Sequence, residues 1–302
     1  MFDNVVVGID KYEAGRPGAL GMFDNVVVGI DKYEAGRDAL ELAKQLVPPD
    51  GDMLLVFVEV VMRAPGPDTD PQWQLDERRR ARSRLASVRD DANADAQLLT
   101  VQAGSVARGL HEAVRRHGDL LVIGASRRDE FERTFVGDDT RQVLQDAPSA
   151  VAVAPTGYAT RLPSLDTIGV GFDGSPASEQ ALTVASTLAR ERGAELSAFE
   201  AVAEPMYASD PVSGQWALEA RLEKAQKQLA ELRDVKPHVA SGDAAQNLAR
   251  YAASIDLLVV GSHEYRLRDR FSGGSTSQRL ADSAACPLLV LGPGTRDAAR
   301  AR

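Results

Sequence analysis

The sequence is poor in cysteine, in long apolar runs and in positive charge. Cys286 is the single cysteine among 302 residues, which excludes a disulfide within the chain and any metal site built from several thiolates. No stretch approaches the ~18 consecutive apolar residues of a membrane-spanning helix. The net charge is −9. Because nucleic-acid binding needs clustered positive charge to displace counterions, this balance argues against a nucleic-acid partner.

The first residues argue against secretion. Asp3, Asp10 and Glu13 interrupt any apolar run there, whereas a secretory signal peptide needs an apolar segment of roughly 7–15 residues. We therefore expect a cytoplasmic location and no membrane contact. Cys286 itself precedes Pro287 and an apolar run, which is typical of a small buried residue and not of a reactive thiol.

Two internal repeats are present, and the first is an identical copy. Residues 1–16 recur without change at residues 22–37. Structural repeats diverge, so identity indicates a recent duplication or an alternative start of the chain. Only the second copy runs on into a helical pattern, whereas Pro17-Gly18 ends the first. We expect residues 1–21 to be an appendage outside either domain, with no assigned place for the strand-like residues 4–9.

The second repeat is diverged and covers nearly all of the remaining chain. Four pairs of blocks match in the same order and almost the same spacing: 26–31 with 168–173, 72–75 with 215–218, 119–124 with 256–261, and 150–153 with 288–291. The chain is therefore predicted to hold two tandem domains, residues 22–156 and residues 165–294. The segment 156–164, which contains Gly157 and Pro163, is the expected linker.

Each half alternates short apolar runs with amphipathic stretches. In the first half, strands are predicted at about 24–31, 52–61, 97–102, 119–124 and 149–154, with helices at 35–46, 71–90 and 106–116. Continuously apolar strands are typical of a sheet that is covered on both faces. Strands alternating with helices predict an α/β fold: two doubly wound domains, each a five-stranded parallel sheet in the order 3-2-1-4-5 with helices on both faces.

The residues that suggest binding gather where that strand order reverses. Ligands of doubly wound sheets bind beyond the carboxyl ends of the strands at this switch point, here between strands 1 and 4. Strand 1 ends in Asp31 or Asp173, and strand 4 ends in Gly124 or Gly261. In the second half, the loop after strand 4 closes with Ser-Gly-Gly-Ser-Thr-Ser at 272–277. Glycines let backbone N–H groups approach an anion, and a helix start adds a favourable dipole.

These features resemble the universal stress protein (UspA-like) family over most of each half. The ATP-binding branch of that family carries a glycine, two residues, a second glycine, nine residues, and then glycine followed by serine or threonine. In the second half Gly261 and Gly274-Ser275 match, and Glu264 replaces the middle glycine. In the first half Gly124 and Gly137 match, whereas Arg127 replaces the middle glycine and Asp138 the hydroxyl residue. The resemblance also implies that Asp31 or Asp173 contacts the adenine end of a nucleotide.

The resemblance implies ATP as the ligand, with the second half as the better site. The candidate binding residues are Asp173, Gly261, Glu264, Gly273, Gly274, Ser275 and Thr276 in the second half, and Asp31, Gly124 and Gly137 in the first. Glu264 adds negative charge near a polyphosphate, and Asp138 replaces a hydroxyl donor with an acceptor. Structural interpretations stay open: Asp138, Ser275 and Asp173 can each cap a helix, and Gly273-Gly274 can simply permit a tight turn.

The sequence is therefore compatible with two functions from different classes. The first is a stress-response regulator that binds an adenine nucleotide in its second half. The alternative is an interaction protein that binds no nucleotide because both pockets have decayed. An enzyme is not expected, since no nucleophile–base pair is visible and His263 is the single histidine in a candidate ligand loop.

Assembly follows from the resemblance as well. An open sheet has edges that must be covered, and the family implies that the last strands of two domains pair. We expect residues 150–153 and 288–291 to pair within one chain as a pseudo-dimer, with a homodimer of chains as a further possibility.

Overall fold

The computed structural model describes residues 7–8, 21–31, 35–61, 71–125, 139–161, 163–204, 211–262 and 276–292. The chain divides into two compact units, separated between residues 162 and 163. Each unit is built from alternating strands and helices.

The first unit contains β1 (Val7–Gly8), β2 (Asn25–Gly29), α1 (Ala35–Leu46), β3 (Asp52–Val60), α2 (Pro71–Asp91), β4 (Gln97–Ala103), α3 (Val106–His117), β5 (Leu120–Gly124), α4 (Asp139–Leu144), β6 (Ala150–Ala154) and α5 (Tyr158–Arg161). The second contains β7 (Thr167–Gly171), α6 (Pro176–Arg192), β8 (Glu195–Val202), α7 (Pro211–Ala230), β9 (Lys236–Ser241), α8 (Ala244–Tyr251), a 3₁₀ turn (Ala252–Ser254), β10 (Leu257–Gly261), α9 (Thr276–Ser283) and β11 (Leu288–Leu291).

The predicted strand order is confirmed within each unit. The first unit has the parallel order β4-β3-β2-β5-β6, and the second has β9-β8-β7-β10-β11. Numbered along the chain, both are 3-2-1-4-5. The central strands are fully buried, and Val26, Val27 and Val28 of β2 are at most 1% exposed. Burial on both faces explains why these strands are continuously apolar in sequence.

Within each unit, an aspartate just before the fourth strand accepts hydrogen bonds from the first residue of the neighbouring central strand. Asp119 Oδ2 accepts from the backbone N and the side-chain Nδ2 of Asn25, both at 3.2 Å. Asp256 Oδ2 accepts from Thr167 N at 2.8 Å and from Thr167 Oγ1 at 2.7 Å. The two aspartates occupy the first position of the matched blocks 119–124 and 256–261, so the diverged repeat preserves an interaction as well as a fold.

Two residues of the identical N-terminal copy pair with the first unit's sheet. Val7 and Gly8 pair antiparallel with Val101 and Thr100 of β4, the outer strand. The corresponding residues of the second copy lie in β2, in the middle of the parallel sheet. No side-chain pattern predicts this edge, because edge pairing depends on backbone groups.

Most of the expected linker belongs to the first unit. Residues 158–161 form α5, and Tyr158 is fully buried. The buried carboxylate of Asp38, on α1, accepts from Gly157 N and Ala159 N, both at 2.8 Å. A single acidic side chain thus satisfies two N–H groups at the start of α5, which otherwise lack helical partners.

The described residues contain neither a membrane-spanning helix nor a metal-ligand cluster. No helix there is both long and apolar enough to cross a bilayer. No group of three or more His, Cys, Asp or Glu side chains in that part of the chain is placed to hold a metal ion. Cys286 is buried, and burial raises the pKa of its thiol to about 12. A thiol with so high a pKa is a poor nucleophile, which agrees with the structural role expected of it.

The Asp38 contact yields a stability prediction. Asp38→Ala leaves the N–H groups of Gly157 and Ala159 without their acceptor, so we expect the free energy of unfolding to fall by about 1–3 kcal/mol. Urea denaturation followed by circular dichroism measures this. Glu41→Ala, on the same helix, serves as the control, because Glu41 pairs only with Lys44 among the described contacts. That change should stay within about 0.5 kcal/mol. Equal losses in both variants would contradict the assigned role.

Candidate functional site

The second unit brings its two strongest sequence candidates to adjacent strands. Asp173 follows β7 by two residues, and Gly261 is the last residue of β10, the neighbour of β7. The strand order reverses between these two strands, so both residues lie at the carboxyl edge of the switch point. Thr276 is the first residue of α9 and is exposed.

Gly261 has a packing role that requires no ligand. A Cβ atom at this position would lie 2.4 Å from the carbonyl oxygen of Ala177, in the first turn of α6. Gly124 repeats the arrangement in the first unit, where a Cβ would lie 2.1 Å from the carbonyl oxygen of Ala35 in α1. Backbone atoms cannot move aside as a flexible side chain does, so both strand ends require glycine.

Asp173 is not the side-chain cap of the helix that follows it. Ser175 caps α6, since its Oγ accepts from Ser178 N at 3.2 Å. Asp173 Oδ1 instead accepts from Ser175 N at 3.0 Å within the turn. The structural interpretation of Asp173 as the helix cap is therefore wrong, because Ser175 takes that place one residue before Pro176.

The corresponding aspartate of the first unit does bond to its helix. Asp31 Oδ1 accepts from Gly36 N, the second residue of α1, at 3.0 Å. The two aspartates match in sequence but accept hydrogen bonds from different parts of the turn. Asp31 holds the start of a helix, whereas Asp173 bonds to the turn before the helix cap.

Glu200, which no sequence motif marks, is close enough to Asp173 for their charges to interact. It belongs to β8, the strand on the other side of β7, and its Oε2 is buried without a hydrogen-bond partner among the described residues. Burial raises the pKa of Glu200, and the negative charge of Asp173 raises it further, whereas Lys224 opposes the shift. A buried acceptor without a donor is uncommon in native proteins and points to a partner such as water, an ion or a ligand.

The first unit shows that the fold does not require a carboxylate at that position. The sheet register shows which residues of β3 and β8 are equivalent. Gly29 pairs with Val56, and Gly171 pairs with Phe199. The residues that follow on the second strand, Phe57 and Glu200, therefore occupy equivalent positions. Phe57 is 8% exposed, and the guanidinium carbon of Arg84 lies 5.9 Å from its ring centre. One strand position thus holds an aromatic ring in one unit and a partly buried acid in the other.

A second polar feature links the starts of two helices in the second unit. Asp243 caps α8, with Oδ1 accepting from Gln246 N at 2.9 Å. Its two oxygens also accept from the two terminal nitrogens of Arg279, on α9, at 2.8 and 2.9 Å. The bond from Arg279 lowers the pKa of Asp243, and the bond from Gln246 lowers it further. The two residues are 36 positions apart in sequence, so no local motif announces the pair.

Several sequence candidates lie outside the described residues. They are Glu264, Gly273, Gly274 and Ser275 of the second half, Gly137, Arg127 and Asp138 of the first half, and His263. The assignment of Glu264, Gly273, Gly274, Ser275 and Gly137 as binding residues stays a prediction from the sequence. Arg127 and Asp138 stay departures from the motif, and no role is predicted for His263.

Glu200 yields a prediction with a defined pH dependence. The pKa of Glu200 is higher in the folded than in the unfolded state. Ionisation therefore lowers the free energy of unfolding as the pH rises above the pKa of the unfolded state. Glu200→Gln removes this cost, and we expect the Tm to rise by about 1–3 °C at pH 7.5. The gain should vanish below about pH 4, where both states hold the proton. Differential scanning calorimetry at the two pH values measures it.

The control for this change is Glu59→Gln in the first unit. Glu59 Oε2 already accepts from Gln102 Nε2 at 2.9 Å, so its replacement should raise the Tm at neither pH. A gain from Glu200→Gln that is the same at pH 4 and pH 7.5 would show that ionisation is not its cause.

Comparison with known proteins agrees with this architecture. The sequence profile of the universal stress protein family matches residues 22–155 and again residues 164–292. A universal stress protein of Mycolicibacterium smegmatis is 31% identical over 243 residues, which is 74% of this chain and 79% of that protein. A universal stress protein of Mycobacterium tuberculosis is 29% identical over 241 residues, or 75% of this chain and 80% of the relative.

A solved structure shows the same fold. The crystal structure of a universal stress protein from Archaeoglobus fulgidus superposes with a TM-score of 0.63 and covers 89% of this chain and 98% of its own. Its sequence identity is 18%, so this likeness speaks for the fold alone. With the family profile matched twice along its length, the chain belongs to the universal stress protein family and carries two copies of the family's domain in tandem.

Proposed function

We propose that this protein is a stress-response regulator whose second unit binds an adenine nucleotide, ATP foremost, without acting as an enzyme. The observation that carries the proposal is the placement of Asp173 and Gly261 on adjacent strand ends at the switch point. The same unit keeps Gly274-Ser275 immediately before α9, as the ATP-binding branch of the family requires.

The residues present fit a nucleotide in their chemistry. Asp173 supplies a hydrogen-bond acceptor for the adenine or ribose end, and the nearby buried Oε2 of Glu200 has no donor in the part of the chain that the structure describes. Residues 273–276 would serve the phosphates, since glycines and a helix start offer backbone N–H groups to an anion. When bound, the nucleotide supplies a cellular signal, and the chain's own residues determine how tightly it is held.

Negative charge around the site opposes tight binding. Glu264 follows the end of β10 by three residues in sequence, and Glu200 is close enough to Asp173 for their charges to interact. Like charges near a polyphosphate reduce its affinity, most of all where water is excluded. We therefore propose a modest affinity, suited to a nucleotide that is abundant in the cell.

The first unit is proposed as a structural or regulatory partner of the second. Its Asp31 is engaged at the start of α1, and its loop carries Arg127 and Asp138 in place of glycine and a hydroxyl residue. These departures, with Glu264 in the second unit, also favour the alternative, an interaction protein that binds no nucleotide. The cytoplasmic location and the pairing of the last strands, within one chain or between two, stay predictions.

Paired substitutions of the two aspartates test the proposed site. Asp173→Asn keeps the size of the side chain but removes the carboxylate, and we expect ATP to bind about 10–100-fold more weakly, as for the loss of one hydrogen bond to a charged group. Asp31→Asn is the matched control and should change the affinity less than about 2-fold, because its carboxylate serves α1. Isothermal titration calorimetry measures both.

Two outcomes of that titration would count against the proposal. Equal losses in the two variants would remove the distinction between the units. No binding by the wild-type chain at millimolar ATP would favour the interaction protein instead. Phosphate release, followed in the same samples, should stay at the level of a protein-free control.

Restoring the middle glycine gives a second test. Glu264→Gly removes a negative charge and a side chain from the loop, so we expect ATP to bind several-fold more tightly and adenosine to bind about as before. Glu219→Gln removes the same formal charge from the exposed surface of α7 and controls for net charge alone. An equal gain from both variants would show that the loop position has no specific effect.

A further inference from the structure

The Asp243–Arg279 pair joins the beginnings of α8 and α9, and we call it the α8–α9 clamp. Arg279 Nη1 lies 2.9 Å from Asp243 Oδ2, and Arg279 Nη2 lies 2.8 Å from Asp243 Oδ1. Two parallel bonds fix the orientation of the guanidinium as well as its distance, which a single contact does not. The clamp therefore sets how the first turn of α9 lies against the first turn of α8.

The anchor of the clamp is itself well held. Asp243 Oδ1 also accepts from Gln246 N at 2.9 Å, which completes the cap of α8. The neighbouring Asn247 donates from Nδ2 to Ser241 O at 2.9 Å, across the turn that precedes the helix. Asp243 is therefore held at the start of its own helix, and Arg279 connects the start of α9 to this hydrogen-bonded turn.

Arg279 is close in sequence to the segment proposed to meet the phosphates. It is the fourth residue of α9, so about one helical turn separates it from Thr276. A constraint on Arg279 is therefore a constraint on the first turn of α9. Binding through backbone N–H groups depends on such placement, because those groups have no rotamers with which to adapt.

The first unit lacks the chemistry for a clamp. Ser105 stands where Asp243 does, and its Oγ caps α3 by accepting from Arg108 N at 3.2 Å. Gln142 is the fourth residue of α4, where α9 has Arg279. Both side chains are neutral, and a hydrogen bond between α3 and α4 joins His111 Nε2 to Val143 O at 2.8 Å. The unit with the clamp is thus the unit that keeps Gly-Ser before its last helix.

We propose that Asp243 and Arg279 are positioning residues that hold the start of α9 for phosphate binding in the second unit. The inference rests on the proposed nucleotide function and adds to it a pair outside the family motif. Asp243 takes up two of the five N–H donors of Arg279 and holds its guanidinium at the start of α8. We therefore assign Arg279 a role through the helix that it holds, and direct contact of its remaining donors with phosphate is the alternative that the substitutions distinguish.

The first unit supplies the substitutions for the test. Asp243→Ser keeps an oxygen that can cap α8, as Ser105 caps α3, and removes the ion pair. Arg279→Gln places in α9 the residue that α4 carries. In the full chain we expect each variant to bind ATP about 3–10-fold more weakly, and the double variant to be no worse than either, because both lose one contact. Adenosine affinity should change less than about 2-fold, since adenosine lacks phosphates.

A second measurement needs no nucleotide. Hydrogen exchange of the backbone amides in the first turns of α9 should be faster in both variants than in the wild-type chain. Lys227→Gln is the control, because it removes an exposed ion pair with Glu223 at 2.7 Å on α7, and it should alter neither exchange in α9 nor ATP affinity. Circular dichroism confirms that every variant is folded.

The possible failures are distinguishable. No ATP binding by the wild-type chain overturns the proposed function itself. Wild-type binding with unchanged affinity in both variants overturns the inference alone. If Asp243→Ser leaves ATP affinity unchanged or raises it while Arg279→Gln lowers it, Arg279 is a direct phosphate ligand and the positioning role is wrong.

Discussion

The close approach of a helix start to a strand end is the constraint on which both units depend. No side chain fits at Gly124 or Gly261, because the first turn of α1 or α6 lies where a Cβ would be. This contact sets the helix beginning directly against the neighbouring strand and so gives the switch point its shape. It also explains why the first glycine of the family motif persists in the first unit, where Arg127 and Asp138 replace two later motif residues. That glycine is a requirement of packing before it is a sign of binding.

Around this shared frame the two units distribute charge differently. The first unit places Phe57 against the guanidinium of Arg84, and the second places Glu200 beside Asp173 at the equivalent strand position. The first caps α3 with neutral Ser105, and the second caps α8 with a carboxylate that holds Arg279. Since the first unit folds without these acids, the second does not need them to form its sheet. Buried or paired charge that the fold does not need is a usual mark of a functional region.

The sequence was sufficient for the fold because its signals are local and repeated. The run Val26–Val28 predicts a buried strand, and α1 begins and ends at the residues that its amphipathic pattern predicts. The site was harder to predict. Glu200 looks like an ordinary polar residue of a strand until its neighbour Asp173 is known. The Asp243–Arg279 pair joins residues that only tertiary structure brings together, and α5 is a single turn held by Asp38, far away in sequence. Such contacts follow from the assembled fold and leave no periodic pattern.

The identical segment at the N-terminus has a consequence for how order is measured in this chain. Val7 lies in β1 and Val28 in β2, and each is surrounded in sequence by the same residues. Their amides therefore share one intrinsic exchange chemistry, which depends on neighbouring side chains. Any difference in protection between them arises from tertiary structure alone: a short antiparallel pairing at an edge against a parallel pairing on both sides. Comparing these two amides therefore separates the effect of local sequence on hydrogen exchange from the effect of tertiary structure.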